Sequence, residues 1–351
     1  MWILSNDTPF AAERTLVCDR NGADVWLVAV KGTFIIKADG KTEIAQQQEK
    51  VLLVPRYVGD PTASSLLYES DLDYTKPTTD IILHGHAYAP HGKPTRQVDV
   101  KVKIANVAKT LRVFGDRLWK MGLLGPKMTD PEPFLRTPLT YERAFGGVDQ
   151  WSEDPKKHDW ERRNPVGTGF AVKAEHLVGR RVPNVEDPRA LISSWKDRPR
   201  PAGFGPIARH WSPRIELAGT YDARWEKERL PLLPEDFNER FFQCAPADQQ
   251  AQSYLEGNEL VELHNLSPEG LMRLRLPRIA LGFRTRLSGK IVDHRGELHT
   301  VILEPDVPRV IMVWHAMLPC HGKKLSLEST TIFQKEVLPL QEFVSRGVKT
   351  T

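Results

Sequence analysis

The sequence is poor in cysteine, and its few thiols exclude two classes of protein. The three cysteines, Cys18, Cys244 and Cys320, are odd in number, far apart and without a Cys-x-x-Cys spacing. A disulfide framework needs paired cysteines, and a zinc ribbon or finger needs closely spaced ones. We therefore expect reduced thiols, as in a cytoplasmic protein.

Long apolar runs and a strong charge excess are also missing. The longest apolar run, Val25–Val30, has the length of a strand and is far short of a membrane span. The N-terminus Met1–Asp7 lacks the basic and apolar regions of a secretion signal. A formal net charge of +4 over 351 residues is small for a protein that binds nucleic acid. These shortages predict a cytoplasmic protein that makes no membrane contact, and they disfavour nucleic acid as a partner.

Catalytic signatures are missing as well. The sequence contains no Gly-x-Ser-x-Gly, no phosphate-binding Gly-x-x-x-x-Gly-Lys, no His-Glu-x-x-His and no dinucleotide fingerprint. Gly203-x-Gly205 and Gly146-Gly147 do not stand between a strand and a helix, so phosphate binding is not predicted there. From the residues alone we predict no catalytic group and no cofactor.

The first third, residues 1–122, is predicted to be β-rich. Gln97–Ile104 alternates strictly between polar and apolar residues, which is typical of a half-buried strand. The pair Asn21-Gly22 is a strong hairpin signal that links Thr15–Cys18 to Val25–Val30. Further predicted strands are Thr33–Ile36, Asp80–Tyr88 and Leu111–Val113.

The middle region, residues 123–215, has a different character. Twelve of the 27 prolines lie between residues 126 and 214, which excludes long helices and central strands. Large aromatic residues are spread through it, as they are not in disordered segments. We therefore predict an ordered, irregular region that packs over the β-core, with one helical turn at Thr140–Phe145.

The last third, residues 216–351, returns to short strands. They are predicted at Val261–Asn265, Leu271–Leu276, Ile279–Arg286, Leu298–Glu304 and Val310–Met317. Brief helices are predicted at Pro234–Phe242, which starts with acidic residues, and at Gln341–Arg346. The pattern as a whole predicts a mainly β fold. It consists of an antiparallel β-sandwich-like core, a long irregular Pro/Gly-rich region and a few short helices, all in one domain spanning 1–351. Whether the two β-rich ends form one sandwich or two stays open.

The segment Arg198–Arg214, here called the central loop, is the first candidate for a binding surface. It combines prolines and glycines with large apolar side chains and arginines, and ordered loops of this kind commonly carry binding residues. The candidate partner-binding residues are Arg198, Arg200, Phe204, Arg209, Trp211 and Arg214. The alternative is a structural role: burial is the favoured expectation for the two aromatic residues, whereas both roles stay open for the arginines.

Three histidines form a second candidate site. His84 and His86 are two residues apart and would share one face of a strand, with His91 in the following turn. Such a set could bind zinc in a metal-dependent hydrolase. The alternative, which is favoured, is that these histidines are polar residues on the wetter face of a strand.

A third candidate is a basic sheet face. Arg273 and Arg275 share one side of a predicted strand, Arg284 and Arg286 share one side of the next, and the two strands could be neighbours. Four arginines on one face could hold an acidic protein surface or a phosphate backbone. An ordinary solvated face is the favoured alternative.

Several blocks of the sequence together resemble one bacterial family, catalogued as domain of unknown function 2169. The central block is Pro201–Ile207, followed by Trp211 and Arg214. The other blocks, in matching order, are Asn6–Phe10, Val30–Phe34, Tyr141–Asp149, Asn164–Gly167, Pro183–Glu186 and Phe241–Gln249.

The resemblance implies a role in type VI secretion. Members of the family are regarded as adaptors or chaperones that stabilise a toxic effector and help to load it onto the spike. The expected partners are therefore a secreted effector protein, a spike-tip protein, or both. Pentapeptide repeats, which follow the domain in some relatives, do not follow it here, so the chain resembles the stand-alone form. The resemblance supplies no catalytic residue.

Overall fold

The computed structural model describes residues 2–123 and 125–335. The predicted turn at Gln341–Arg346 lies outside these residues. Short strands dominate the described part. They are β1 (Ile3–Asn6), β2 (Ala11–Cys18), β3 (Asp24–Ile36), β4 (Thr42–Ile44), β5 (Arg56–Tyr57), β6 (Leu66–Tyr68), β7 (Asp80–Leu83), β8 (His86–Tyr88), β9 (Gln97–Ile104), β10 (Val107–Phe114), β11 (Trp119–Gly122), β12 (Gly125–Met128), β13 (Arg136–Pro138), β14 (Phe145–Gly146), β15 (Val148–Asp149), β16 (Asp159–Trp160), β17 (Thr168–Gly169), β18 (Val185–Glu186), β19 (Leu260–His264), β20 (Leu271–Arg275), β21 (Leu281–Leu287), β22 (Lys290–Arg295), β23 (Glu297–Glu304), β24 (Arg309–Pro319) and β25 (Leu327–Gln334).

Helices are few and short. Residues 2–123 and 125–335 hold one α-helix, α1 (Ala223–Glu228), which Asp222 caps by accepting from the backbone N–H of Trp225. None of the helices described there is long and apolar enough to cross a membrane. The 3₁₀ turns are Pro90–Gly92, Tyr141–Arg143, Pro155–Lys157, Ala174–Leu177, Ile215–Ala218, Glu239–Phe242, Ala247–Gln249 and Lys324–Ser326.

The helix predictions were only partly right. Of the predicted helix Pro234–Phe242, only Glu239–Phe242 is helical, as a 3₁₀ helix capped by Asn238. The predicted turn near Thr140 is the 3₁₀ turn Tyr141–Arg143. The sequence analysis missed α1.

The central sheet has the order β2-β3-β24-β23-β7, with β4 paired to β3. The predicted hairpin at Asn21-Gly22 is confirmed: β2 and β3 pair in antiparallel register, and Gly22 has the positive φ of 80° that the turn requires. The two strands predicted on either side of Lys31 are one strand. Lys31 does not interrupt it, because its buried ammonium group pairs with Asp71 at 2.7 Å.

Two further sheets are large, with orders β18-β10-β9-β19-β20 and β1-β25-β21-β22, and the described residues also form five two-stranded sheets. In β9, Val98, Val100, Val102 and Ile104 are buried while most of the residues between them are exposed. The predicted alternation is therefore confirmed. Most strand pairs are antiparallel, and the mainly β fold class is confirmed. The parallel pairs among the described residues are β1 with β25, β7 with β23 and β14 with β17.

The two β-rich ends of the chain form one core. Each of the three larger sheets takes strands from both ends; β3, for example, pairs with β24, and β9 pairs with β19. One hydrophobic cluster runs from Phe10 to Ile332 and includes side chains of all three sheets. The ends therefore do not build two separate sandwiches.

The middle region adds two smaller clusters to this core. One contains Trp119, Phe145, Leu177 and Ile192, and the other is built around Tyr141 and Trp211. The middle region also supplies β18 to a large sheet, and the hairpin β11–β12 crosses its predicted start at residue 123. The Pro/Gly-rich region is therefore joined to the β-core both by strand pairing and by packed side chains.

Candidate functional site

The central loop is held by side chains rather than by a strand ladder. Three successive carbonyl oxygens, of residues 203–205, accept hydrogen bonds from Lys109 Nζ (2.7 Å), Gln249 Nε2 (2.8 Å) and the Tyr141 hydroxyl (3.3 Å). The donors come from β10, from the 3₁₀ turn Ala247–Gln249 and from the turn Tyr141–Arg143. A segment with too much proline and glycine for regular structure thereby has its backbone oxygens satisfied.

One glycine of the loop is required by close packing. A Cβ atom built on Gly203 would lie 2.8 Å from two ring carbons of Tyr141, which is closer than carbon atoms tolerate. The Tyr141 ring also makes an edge-to-face contact with Trp211 at a centroid distance of 5.6 Å. Tyr141 therefore contacts the loop at two places, Gly203 and Trp211.

Two arginines of the loop, Arg209 and Arg214, form a charge cluster with the buried acids Glu69 and Asp73. Arg214 Nη1 donates to Glu69 Oε2 at 2.6 Å, and Arg209 pairs with both Glu69 and Asp73. Burial alone would raise the pKa of Glu69, but Arg214 and Arg209 outweigh it and hold that pKa below its usual range. Burial and the charge of Glu69 raise the pKa of Asp73.

Arg214 joins the cluster to two segments of backbone. Its Nε donates to the carbonyl of Phe241 at 2.7 Å, and its Nη1 donates to the carbonyl of Ile207 at 2.8 Å. A buried guanidinium with charged and backbone acceptors is well satisfied, apart from Nη2, for which the described residues offer no partner. Arg214 therefore ties the loop to the turn at 239–242.

A second buried ion pair lies beside the cluster. Lys76 Nζ donates to Asp80 Oδ2 at 2.8 Å and to Thr300 Oγ1 at 2.9 Å, and it lies 3.8 Å from Cys244 Sγ. Burial would lower the pKa of Lys76, but Asp80 and its neighbours raise it above its usual value. Burial raises the pKa of Cys244 to about 12. The thiol is therefore protonated at neutral pH and is a poor nucleophile.

The six predicted partner-binding residues fall into two groups. Phe204, Trp211 and Arg214 are buried, so in this conformation they present no surface to a partner. For the two aromatic residues this agrees with the favoured structural alternative. The two aromatic rings are packed and the Arg214 charge is paired inside the protein, so all three residues have a structural role in this conformation. Their direct contact with a partner stays a prediction.

The other three, Arg198, Arg200 and Arg209, reach the surface. Arg198 is largely tied to its surroundings, because Nη2 donates to the carbonyl of Ala171 at 2.7 Å. Arg209 is 39% exposed, but its charge is used by the buried acids. Arg200 is exposed, and no side-chain hydrogen bond or ion pair is found for it among the described residues. It is the loop arginine whose charge is left for a partner.

A protein-family comparison bears on these residues. The family described as an uncharacterized protein conserved in bacteria (DUF2169) matches residues 21–315. The chain belongs to the DUF2169 family. No curated protein matches the chain, and no solved structure does.

In this DUF2169 chain, blocks that are far apart in sequence meet at the central loop. The block 201–207 contacts Tyr141 of the block 141–149 and Gln249 of the block 241–249. The backbone N–H of Ile207 also donates to the carbonyl of Cys244 at 2.7 Å. In a fourth block, the side chain of Asn164 donates to the carbonyl of Tyr141 at 2.8 Å. These four resemblance blocks therefore form one connected structural unit.

The three histidines of the proposed metal site do not come together. His84 and His86 lie in and after the link between β7 and β8, so they do not share a strand face. His84 is half-buried and packs against Tyr68 at a centroid distance of 5.0 Å, and loss of solvent around its ring lowers its pKa to about 4. His86 Nδ1 lies 2.6 Å from Asp306, and His91 is exposed in a turn. In residues 2–123 and 125–335 no group of three His, Cys, Asp or Glu side chains is arranged to hold a metal ion.

The proposed four-arginine face is not formed either. Arg273 and Arg275 lie on β20, which pairs with β19, whereas Arg284 and Arg286 lie on β21, which pairs with β22 and β25 in another sheet. Three of the four pair with carboxylates, such as Arg284 with Asp293 at 2.8 Å. The expectation that the two strands are neighbours was wrong because each has a closer partner in its own sheet.

The sequence analysis missed the partners that make the loop a unit. Glu69, Asp73, Lys109 and Tyr141 are far from the loop in sequence and belong to no spacing pattern that points to it. Tyr141 and Gln249 stand within resemblance blocks, which was the one signal that could have linked them to the loop. The acids carried no such signal.

Proposed function

We propose that this DUF2169 protein is a non-enzymatic adaptor, or chaperone, of type VI secretion. In this proposal it binds an effector or a spike-tip protein in the cytoplasm, stabilises the effector and helps to load it. The resemblance of the sequence blocks and membership of the family support the proposal, and the geometry of the central loop supports it further.

The observation that carries the proposal is the preformed irregular surface. The loop backbone is fixed by Lys109, Gln249 and Tyr141 before any partner arrives. A surface that is already ordered loses little conformational entropy on binding, so more of the contact energy appears as affinity. A binding protein gains from such a scaffold without needing a nucleophile.

The middle region also exposes apolar and cationic groups that could contact a protein partner. Trp151 and Trp160 of the middle region are nearly half exposed, and tryptophan and arginine are enriched where proteins bind one another. Arg200 adds a cation without a partner among the described residues. This composition fits a protein partner with apolar and acidic groups.

The proposal is tested by capture of the partner from native cytosol. The tagged protein should recover an effector or a spike-tip protein, encoded beside its own gene, in near-equal amount. Deleting the adaptor should make that effector less soluble and reduce its secretion. An effector that is equally soluble and equally secreted in the deletion strain would refute the proposal.

A matched pair of variants locates the contact. Arg200→Glu should weaken capture, whereas Arg224→Glu, at an exposed arginine of α1, should not. Melting curves of both variants check that the fold is intact. Equal capture by the two variants would remove Arg200 from the binding surface.

A further inference from the structure

Strands β11 and β12 form a hairpin, here called the finger (residues 118–129 without 124), whose base and tip differ in burial. Its base is firmly anchored. Trp119 is buried in a cluster with Leu177, and Met128 packs against the same cluster. The backbone N–H of Trp119 donates to the carbonyl of Arg180 at 3.0 Å, and that of Gly179 donates to the carbonyl of Trp119 at 2.8 Å.

The tip of the finger is apolar and exposed. Leu123 is fully exposed and Met121 is 58% exposed, although the base of the same hairpin is buried. Val178, next to the anchoring Gly179, is also exposed. Single exposed apolar residues are common, but several together on a well-anchored projection are typical of an interaction site.

One face of the finger carries cations without partners. Lys120 on β11 lies directly opposite Lys127 on β12. Leu118, two residues before Lys120, pairs with Arg181 in an isolated antiparallel β-bridge. All three cations are exposed, and none forms a salt bridge within the described residues. Like charges directly opposite on paired strands destabilise a hairpin. The like charges therefore lower the stability of the hairpin, and the carboxylates of an acidic partner would offset this loss.

We propose that the finger is a docking element for a segment of the partner protein in which acidic residues are followed by an apolar one. The carboxylates would pair with Arg181, Lys120 and Lys127 on one face of the finger, and the apolar side chain would cover Leu123 at the turn. Met121 lies on the other face, with Trp119, because successive strand residues point to opposite faces. This inference rests on the proposed adaptor function and gives that function a contact surface.

The layout of the finger favours a protein segment over an anionic membrane. At about 3.3 Å per residue, the cations begin about 16 Å behind Leu123, where Arg181 lies level with Leu118, and end at the pair Lys120 and Lys127, about 10 Å behind it. A chain that lies along the finger reaches both the cations and the tip. A bilayer that meets the tip would leave Arg181 outside, and two or three apolar side chains bind a bilayer only weakly.

The test compares variants in the captured complex. Lys120→Glu/Lys127→Glu and Leu123→Ser should each reduce recovery of the partner at least tenfold. The control Lys323→Glu/Leu325→Ser changes an exposed lysine and an exposed leucine in another turn and should leave recovery unchanged. A photo-crosslinking residue at position 123 should join to a partner peptide that contains Asp or Glu next to apolar residues.

Three other results would overturn the inference. Full recovery by both finger variants would remove the finger and leave the adaptor function standing. No complex even with the unaltered protein would defeat both. Binding to phosphatidylserine/phosphatidylcholine vesicles that Lys120→Glu/Lys127→Glu abolishes, with the protein complex unaffected, would assign the finger to a membrane instead.

Discussion

Replacing Arg214 with methionine tests whether the buried charge cluster holds the central loop. Methionine keeps much of the apolar length of the side chain but donates no hydrogen bond. The change would remove the bonds from Arg214 to Glu69, Ile207 and Phe241. It would also leave the buried carboxylate of Glu69 with Arg209 as its remaining cation.

The expected loss follows from the burial of the pair. Removing one partner of a buried ion pair costs about 3–5 kcal/mol, because it leaves an uncompensated charge. Arg209 still faces Glu69, so we expect about 3 kcal/mol. An unfolding entropy of about 2.1 cal/mol/K per residue gives about 0.7 kcal/mol/K for a chain of this size, and the melting temperature should fall by about 4 °C.

The assay is thermal and urea unfolding of Arg214→Met, Glu69→Gln and the double variant. Because the double variant has neither buried charge, it should be more stable than the sum of the two single losses predicts, by about 1 kcal/mol or more. Arg224→Met, at an exposed ion pair, should melt like the unaltered protein. Additive losses, or an Arg214→Met variant as stable as the unaltered protein, would refute a structural role for the pair.

Three further predictions concern the loop and the core. Gly203→Ala should lower the free energy of unfolding in urea by about 1–3 kcal/mol, because the added Cβ would lie 2.8 Å from a tyrosine ring. Gly205→Ala, whose Cβ would have its nearest contact at 3.8 Å, should have little effect, and equal losses for the two variants would contradict the packing argument. Arg209→Glu should lower the melting temperature, because it sets a third carboxylate among two buried ones, and Arg200→Glu should not; a stable Arg209→Glu would show that its ion pairs are dispensable. Burial lowers the pKa of His315 to about 3, so the folded state favours the neutral ring. The stability it contributes is present above about pH 6.5 and is lost as the pH falls towards 3. His315→Gln should therefore reduce the slope of unfolding free energy against pH between 5 and 6 by about 1 kcal/mol per pH unit, and an unchanged slope would contradict this.

The alternation of polar and apolar residues and the local turn signals predicted strands correctly where one face of the strand is buried. The alternation in β9 and the turn at Asn21-Gly22 each fix a local geometry, and both predictions were confirmed. The same reasoning split β3 at Lys31, because a lysine in a strand normally marks an exposed position. The buried partner Asp71, which is 40 residues away, reverses that rule, and periodicity carries no information about it.

The candidate site was predictable only as a segment. Composition singled out Arg198–Arg214, but it did not separate buried from exposed arginines. Arg214 is buried and Arg200 is exposed, although both stand beside proline in the same loop. The difference comes from Glu69, which no spacing connects to either residue. The exposed finger was missed because Leu123 has the sequence character of a core residue.

The sequence by itself determined the mainly β character, the irregular middle region and the resemblance blocks, because short-range alternation, proline content and local motifs are properties of neighbouring residues. Only the tertiary structure decided that the two β-rich ends share one core, that β20 and β21 belong to different sheets, and which loop arginines are buried. These features depend on contacts between residues far apart in the chain, such as β3 with β24 and Glu69 with Arg214. Contacts of that kind are set by the packing of the whole molecule.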